Sequence, residues 1–466
     1  MCISRDNGFA GRMDRFLYTP AYFVLVGGLT MLANIFGMEL MAYTAMVLLA
    51  IYICLQGRDL LPLMPLFFCG YISPSLTNNP GRNEETVFSL KQGGLYLIIL
   101  LSLFVISLVY RLVTDPDFGG KQFLTRKRCL LSGMLILCGT YALSGLGSGR
   151  WADYGWQNLL FALLQLLAVA GLYYLLSGAV RWELAPKAYL AWAGVCVGYV
   201  LMAELLNIYI TGGVIVDGAI FRDNIFTGWG HYNNMGALFT MVIPLPFFLT
   251  GRGRYAWFWY VSGIVFFLGL ILTCSRGSML VGTFIFAASY IFSLVNSRHA
   301  RRQYAVHGTL IAMGIAALIM REELDYIFHS VKELGISSPA RIEIYRKGLQ
   351  QFLENPIFGG SFFPTDTDLP SWGTSENFLS VFPPRWHNTI VQVLATGGVM
   401  CFAGYMIHRV QTIKLLVKNF NTEKLFSALA VAALLLTSMV DCHFFNLGPV
   451  LLYSAILAFT ECRLNK

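Results

Sequence analysis

Apolar runs of about 20 residues recur along the whole chain, and they decide the solvent in which it folds. A bilayer core about 30 Å thick needs roughly that length of helix to cross it. The runs fall near 17–36, 38–56, 59–76, 93–111, 129–146, 158–180, 187–207, 233–250, 257–274, 278–296, 305–320, 388–408, 425–441 and 444–461. Their apolarity is continuous rather than alternating, which argues for helices and against a β-barrel. The expectation is an all-α polytopic membrane protein with about 12–14 transmembrane helices, built as one integral membrane domain over residues 1–466. The third run is the weakest, because Pro62, Pro65 and Pro74 interrupt it, and a kinked or re-entrant segment is expected there. Only 12% of residues are charged, about half the share in soluble domains.

Charge then orients the runs. The positive-inside rule collects Lys and Arg in cytoplasmic loops. Arg12 and Arg15, Arg126-Lys127-Arg128, Arg301-Arg302 and Arg409 to Lys424 sit in alternate connections. This places both termini in the cytoplasm and explains most of the net charge of +8 without nucleic acid. The start, Met1-Cys2-Ile3-Ser4-Arg5, lacks the pattern of a cleavable signal peptide, so the first span is expected to act as an uncleaved signal. The ten cysteines are scattered, mostly within apolar runs and without ligand spacing, and read as small buried hydrophobes. No metal site is expected.

One polar stretch breaks the pattern. Residues 321–387, roughly 65 in all, are too long for a simple connection in a compact protein, and such loops are commonly functional. The charge rule places this loop on the non-cytoplasmic side. It carries Arg341, Arg346, Lys347, Arg385 and His387, with Trp386 before the histidine and Asn388 after it. Within it, Pro339 to Leu353 has helical periodicity with Asn355-Pro356 as a stop. Its apolar positions 342, 345, 349, 352 and 353 are expected to rest on the membrane domain.

Two short connections point the same way. Arg276, in Cys274-Ser275-Arg276-Gly277-Ser278, lies against hydrocarbon, where an arginine costs about 2.5–3.5 kcal/mol at mid-bilayer and usually has a partner or a role. Snorkelling to headgroups is the plain alternative. A guanidinium forks phosphate oxygens, at about 1.5–3 kcal/mol per charged hydrogen bond, and Gly277 would let backbone approach closely. Arg222 precedes Gly228-Trp229-Gly230-His231-Tyr232-Asn233-Asn234, where rings and amides suit sugar faces and hydroxyls. His387 is a candidate general base, a role that contributes about 10²–10⁴-fold. Asn388, Asp441 or His443 could orient it, and Glu204 could pair with an arginine.

Several of these stretches, taken in order, resemble the O-antigen ligase and O-antigen polymerase family. They are Arg222 with Asn233-Asn234-Met235-Gly236; Ser275-Arg276-Gly277; Arg341 to Tyr345 followed by Asn355-Pro356-Ile357-Phe358-Gly359-Gly360; and His387-Asn388-Thr389-Ile390 with Gly397-Gly398. The likeness covers 200–410, read as the catalytic region. It implies a GT-C-like, metal-independent, inverting glycosyltransferase without a cofactor, in the bacterial cytoplasmic (inner) membrane. Such an enzyme moves a glycan from an undecaprenyl-diphosphate carrier to an acceptor glycan or glycolipid at the outer face. By motif, Arg222, Arg276 and Arg341 would hold the diphosphate, and His387 would be the base or position the acceptor; Arg346 or Arg385 could replace Arg341. The residues also allow a polytopic anion transporter of bicarbonate type. A transporter places its polar groups near the bilayer midplane on broken helices, whereas these gather at one face.

Overall fold

The computed structural model describes residues 8–36, 38–72, 94–114, 128–178, 180, 186, 188–211, 214–216, 219–220, 222–227, 230–251, 255–296, 300–322, 325, 339–363 and 386–464. A helix occupies each expected run. In chain order they are α1 Phe9–Leu17, α2 Pro20–Phe36, α3 Glu39–Gln56, α4 Leu63–Ile72, α5 Gly94–Thr114, α6 Leu131–Ala142, α7 Trp151–Gln165, α8 Leu172–Gly178, α9 Tyr189–Thr211, α10 Tyr232–Val242, α11 Pro244–Thr250, α12 Ala256–Leu272, α13 Arg276–Val295, α14 Ala300–Ile319, α15 Pro339–Glu354, α16 Thr389–Val417, α17 Thr422–Thr437 and α18 Leu447–Leu464. A π-helical turn, Leu166–Gly171, joins α7 to α8.

Among the described residues, five helical stretches are long and apolar enough to cross a membrane; α1 and α2 bend by 79° and make a sixth if counted as one broken span. Several shorter apolar helices accompany them. The chain is an all-α polytopic membrane protein. β-Structure among the described residues is confined to two antiparallel hairpins with two-residue strands, Ile215–Val216 with Ala219–Ile220 and Phe226–Thr227 with Gly230–His231.

Inside a bilayer every backbone donor must find a partner in the protein. This governs α16, whose helix is interrupted at Gly398 with φ 63°. The amides of Val399 and Met400 reach past the break to the carbonyls of Pro356 and Ile357, at 2.8 and 3.2 Å. In return, Gly360 and Ser361 donate to Ala395 and Thr396 at 2.8 and 3.1 Å. A side chain at 398 would meet the Ile357 carbonyl oxygen at 2.4 Å, so glycine is needed both for the angle and for the approach. The segment after α15 is thereby stitched into the bundle. Phe362 completes an aromatic cluster with Tyr141, Phe161 and Phe445, at centroid distances of 5.3, 4.9 and 5.6 Å.

The sequence placed α15 and the inward position of Tyr345, but not the rest of its faces. Ile342, Leu349 and Leu353 point outward, and Ile344, Gly348 and Gln351 point inward. Ile344 packs with Trp386 and Ala395, and Gln351 Nε2 donates to the Ala395 carbonyl at 2.9 Å. The expectation treated water as the outer solvent. Beside a membrane an apolar stripe can face outward, and small or hydrogen-bonding residues are what let helices pack closely.

Two further expectations change. Glu204, buried on α9, takes its hydrogen bond from Asn34 Nδ2 rather than from an arginine. Arg409 is not in a loop: α16 runs on to Val417 and buries it at 5% exposure.

Candidate functional site

The end of α17 anchors the candidate site. A helix leaves its last carbonyls without internal partners, and here three consecutive ones are taken by three different donors. Ser438 O accepts from the Thr389 amide at 2.9 Å, Met439 O from Asn388 Nδ2 at 2.8 Å, and Val440 O from Arg341 Nη1 at 3.2 Å. The start of α16 and the arginine of α15 are thus fixed to one short stretch of backbone.

His387 stands at that junction. Its φ of 52° is left-handed, which is uncommon outside glycine. Asn388 caps α16, its side-chain oxygen accepting from the Ile390 and Val391 amides at 2.9 and 3.2 Å. Trp386 on the other flank is buried, and its amide donates to Gln392 Oε1 at 2.8 Å. Tyr345 on α15 donates its hydroxyl to the His387 carbonyl at 3.1 Å. These contacts hold the histidine backbone from both sides.

The imidazole faces Asp441. Nδ1 lies 3.4 Å from Asp441 Oδ1, with 33% of the histidine side chain exposed and 5% of the aspartate. That nitrogen makes no hydrogen bond of good geometry, so the contact is electrostatic in this state; catalytic contacts are often long before substrate arrives. Asp441 is itself held firmly. Oδ1 accepts from the Cys442 amide at 2.7 Å and Oδ2 from Asn233 Nδ2 at 2.9 Å. Ser275 donates to Asn233 Oδ1 at 2.8 Å. One line of side chains therefore runs from the turn before α13, through α10, to the histidine.

Arg276 opens α13, next to Ser275. Its neighbour Gly277 sits so close to Val440 that a Cβ there would lie 2.4 Å from Val440 Cγ1. Gly236 on α10 is pressed likewise against Ser275 and Ser278. The close approach anticipated for Gly277 is thus to protein rather than to a ligand. It sets the first turn of α13, with its positive dipole end, against the residues that hold Arg341 and His387. Arg222 joins through Tyr232, with its guanidinium carbon 5.2 Å from the ring centroid. For Tyr345, burial raises the phenol, Arg341 opposes and Asp441 adds to it, so that hydroxyl lies in the field of both groups.

The remaining sequence candidates are placed differently. Arg346 is bound to Glu343 on the outward face of α15, Nη2 to Oε1 at 2.8 Å and Nε to Oε2 at 3.0 Å, with 75% of its side chain exposed. The Arg346 hydrogen bond holds the Glu343 carboxyl below its usual value. Asn233 and Asn234 are buried rather than open to a sugar: Asn234 Oδ1 faces His443 Nδ1 at 3.3 Å and also accepts from Asn446. His443 therefore serves Asn234, and Asp441 is the group set against His387. Trp386 is packed in the core, and Asn388 is committed to its cap. Arg385 lies outside the described residues. Among the described residues, no three His, Cys, Asp or Glu side chains cluster as metal ligands would.

These features describe a helical membrane protein in which Arg341 and a carboxylate-faced histidine are held on one stretch of backbone, with Arg276 opening the helix packed against Val440 and Arg222 against Tyr232. Residues 261–406 match the family model Wzy_C, described as O-antigen ligase, so this stretch of the chain is similar to that family. The match takes in Arg276, Arg341 and His387, while Arg222, Asn233 and Asp441 lie outside it. No curated protein matches the chain.

Proposed function

We propose that the protein transfers a glycan from an undecaprenyl-diphosphate carrier to an acceptor sugar hydroxyl at the outer face of the bacterial cytoplasmic membrane. The observation that carries the reading is the pairing of His387 with buried Asp441 on the same backbone stretch that holds Arg341. The similarity of residues 261–406 to the O-antigen ligase family supports the reaction class.

In this reading Arg222, Arg276 and Arg341 grip the diphosphate. The acceptor oxygen attacks the anomeric carbon from the face opposite the carrier, and the bond from that carbon to the phosphate oxygen breaks. The diphosphate leaves with the electron pair, and its growing charge falls on fixed guanidinium groups in a low-dielectric setting, where such stabilisation is strong. The acceptor proton passes to the exposed side of the His387 ring, and Asp441 stabilises the imidazolium that forms. A single displacement inverts the anomeric configuration. The carrier's lipid tail lies in the bilayer between helices, which places its diphosphate at the level of the site.

The test is reconstitution with a defined undecaprenyl-diphosphate oligosaccharide, alone and with a distinct glycan or glycolipid acceptor. A ladder of products assigns a polymerase, and one capped product on the second acceptor assigns a ligase. No transfer by well-folded protein under either condition overturns the reading.

A further inference from the structure

Arg409 is a buried cation inside the bundle, at 5% exposure, and no substrate role reaches it. Nη1 donates to the Tyr453 hydroxyl at 3.0 Å. The guanidinium carbon lies 4.0 Å from the Phe444 ring centroid, 4.5 Å from Tyr405 and 5.5 Å from Tyr453. Yet Nε and Nη2 are buried without a hydrogen bond of good geometry, although the Tyr405 hydroxyl also interacts with the group. The hydroxyl of Tyr141 is buried in the same way and lies within electrostatic reach of Arg409. The preceding His408 contacts the Tyr453 hydroxyl through Nε2 at 3.0 Å, and its Nδ1 is likewise unpartnered. Among the described residues, no carboxylate balances the charge.

Aromatic faces attract a guanidinium through its flat side. They leave its in-plane N–H groups unmet, and a buried charge with open donors is costly. Nε and Nη2 share one edge of the group. It is the same edge by which Arg346 forks Glu343. In Arg409 neither nitrogen of that edge makes a hydrogen bond of good geometry, and an orphan of this kind in a folded protein calls for a bound ion or water.

We infer that the Nε–Nη2 edge of Arg409, with the Tyr141 hydroxyl as a further donor, binds a small monovalent anion inside the bundle. A single positive charge balances a single negative one, and the surrounding rings leave no second cation for a divalent ion. The class is a halide or a compact carboxylate such as formate. The site lies under Phe444, three residues from Asp441, so the ion neutralises charge beneath the segment that carries the aspartate. This inference stands apart from the glycan-transfer reading.

The experiment is thermal unfolding of the purified full chain by tryptophan fluorescence, at fixed ionic strength. Gluconate, too large for the site, is exchanged stepwise for chloride, bromide or formate. The melting temperature should rise by roughly 1 °C per tenfold increase once the site fills. Arg409→Met should remove that dependence. Tyr141→Phe, which keeps the ring, should shift it to severalfold higher anion concentration, and it decides the matter if Arg409→Met does not fold. Bromide should give an anomalous peak at the guanidinium edge. Equal melting temperatures in gluconate and halide would overturn the site, as would a dependence unchanged in both variants or water alone in the bromide map.

Discussion

At the scale of single residues, the candidate site separates groups that act through charge from groups that hold them. Arg276→Lys should lose most transfer activity with normal expression, because an ammonium cannot fork two phosphate oxygens; near-normal turnover would remove the diphosphate role. Asp441→Asn keeps the shape but not the charge that stabilises an imidazolium, so turnover should fall about 10²–10⁴-fold with little change in donor KM. Equal losses in Asp441→Asn and in wild type unfolded to the same degree would reduce the aspartate to a structural part. Arg346→Ala should keep activity within about twofold, since surface ion pairs contribute little and its partner Glu343 lies outside the site. Sequence alone shows only that Arg341 and Arg346 could not both face the site. Five residues of helix turn a side chain by about 140°, so Arg341 and Arg346 cannot share a face. The partner of His387 was not legible in that way. Asn388, Asp441 and His443 are all chemically suited, and only the approach of α17 to the start of α16 singles out Asp441.

At the scale of elements, close approaches at glycine do the positioning. Gly277→Ala should push the start of α13 from Val440 and lower activity more than stability. Val440→Ala, which removes the methyl contact at 2.4 Å but keeps Cβ at 2.9 Å, should restore part of the loss in the double variant, a non-additivity of about 0.5–3 kcal/mol in a double-mutant cycle. Additive losses would mean the contact is not the cause. Gly398→Ala meets both a left-handed φ and a carbonyl oxygen, and melting-temperature measurements should find it among the most destabilising single substitutions in α16. The sequence showed where the helices lie, because apolar length is a local property. It did not show which face of α15 is inward. Ile342, Leu349 and Leu353 are exposed while Ile344, Gly348 and Gln351 pack inward, so apolar periodicity alone did not mark the packed face.

At the scale of the whole molecule, the distribution of Lys and Arg predicts that α15 lies outside the membrane barrier and the turn between α16 and α17 inside. In a variant lacking the exposed Cys129, Gln350→Cys should label with a membrane-impermeant maleimide on intact spheroplasts, and Asn419→Cys only after lysis. The opposite pattern would invert the topology and move the site to the cytoplasmic face. The spans themselves were largely legible, since fourteen-odd apolar runs leave a chain few choices of about 20-residue helix. The burial of Arg409 was not, because a cation at the end of an apolar run reads as a loop residue until the helix is seen to continue.

The row of carbonyls at 438 to 440 has a mechanical consequence. The segments that carry His387 and Arg341 hang from adjoining links, so a tilt of the surrounding helices in a thicker or thinner bilayer carries them as one piece. Their separation is set by the peptide unit, and lipid has little purchase on it.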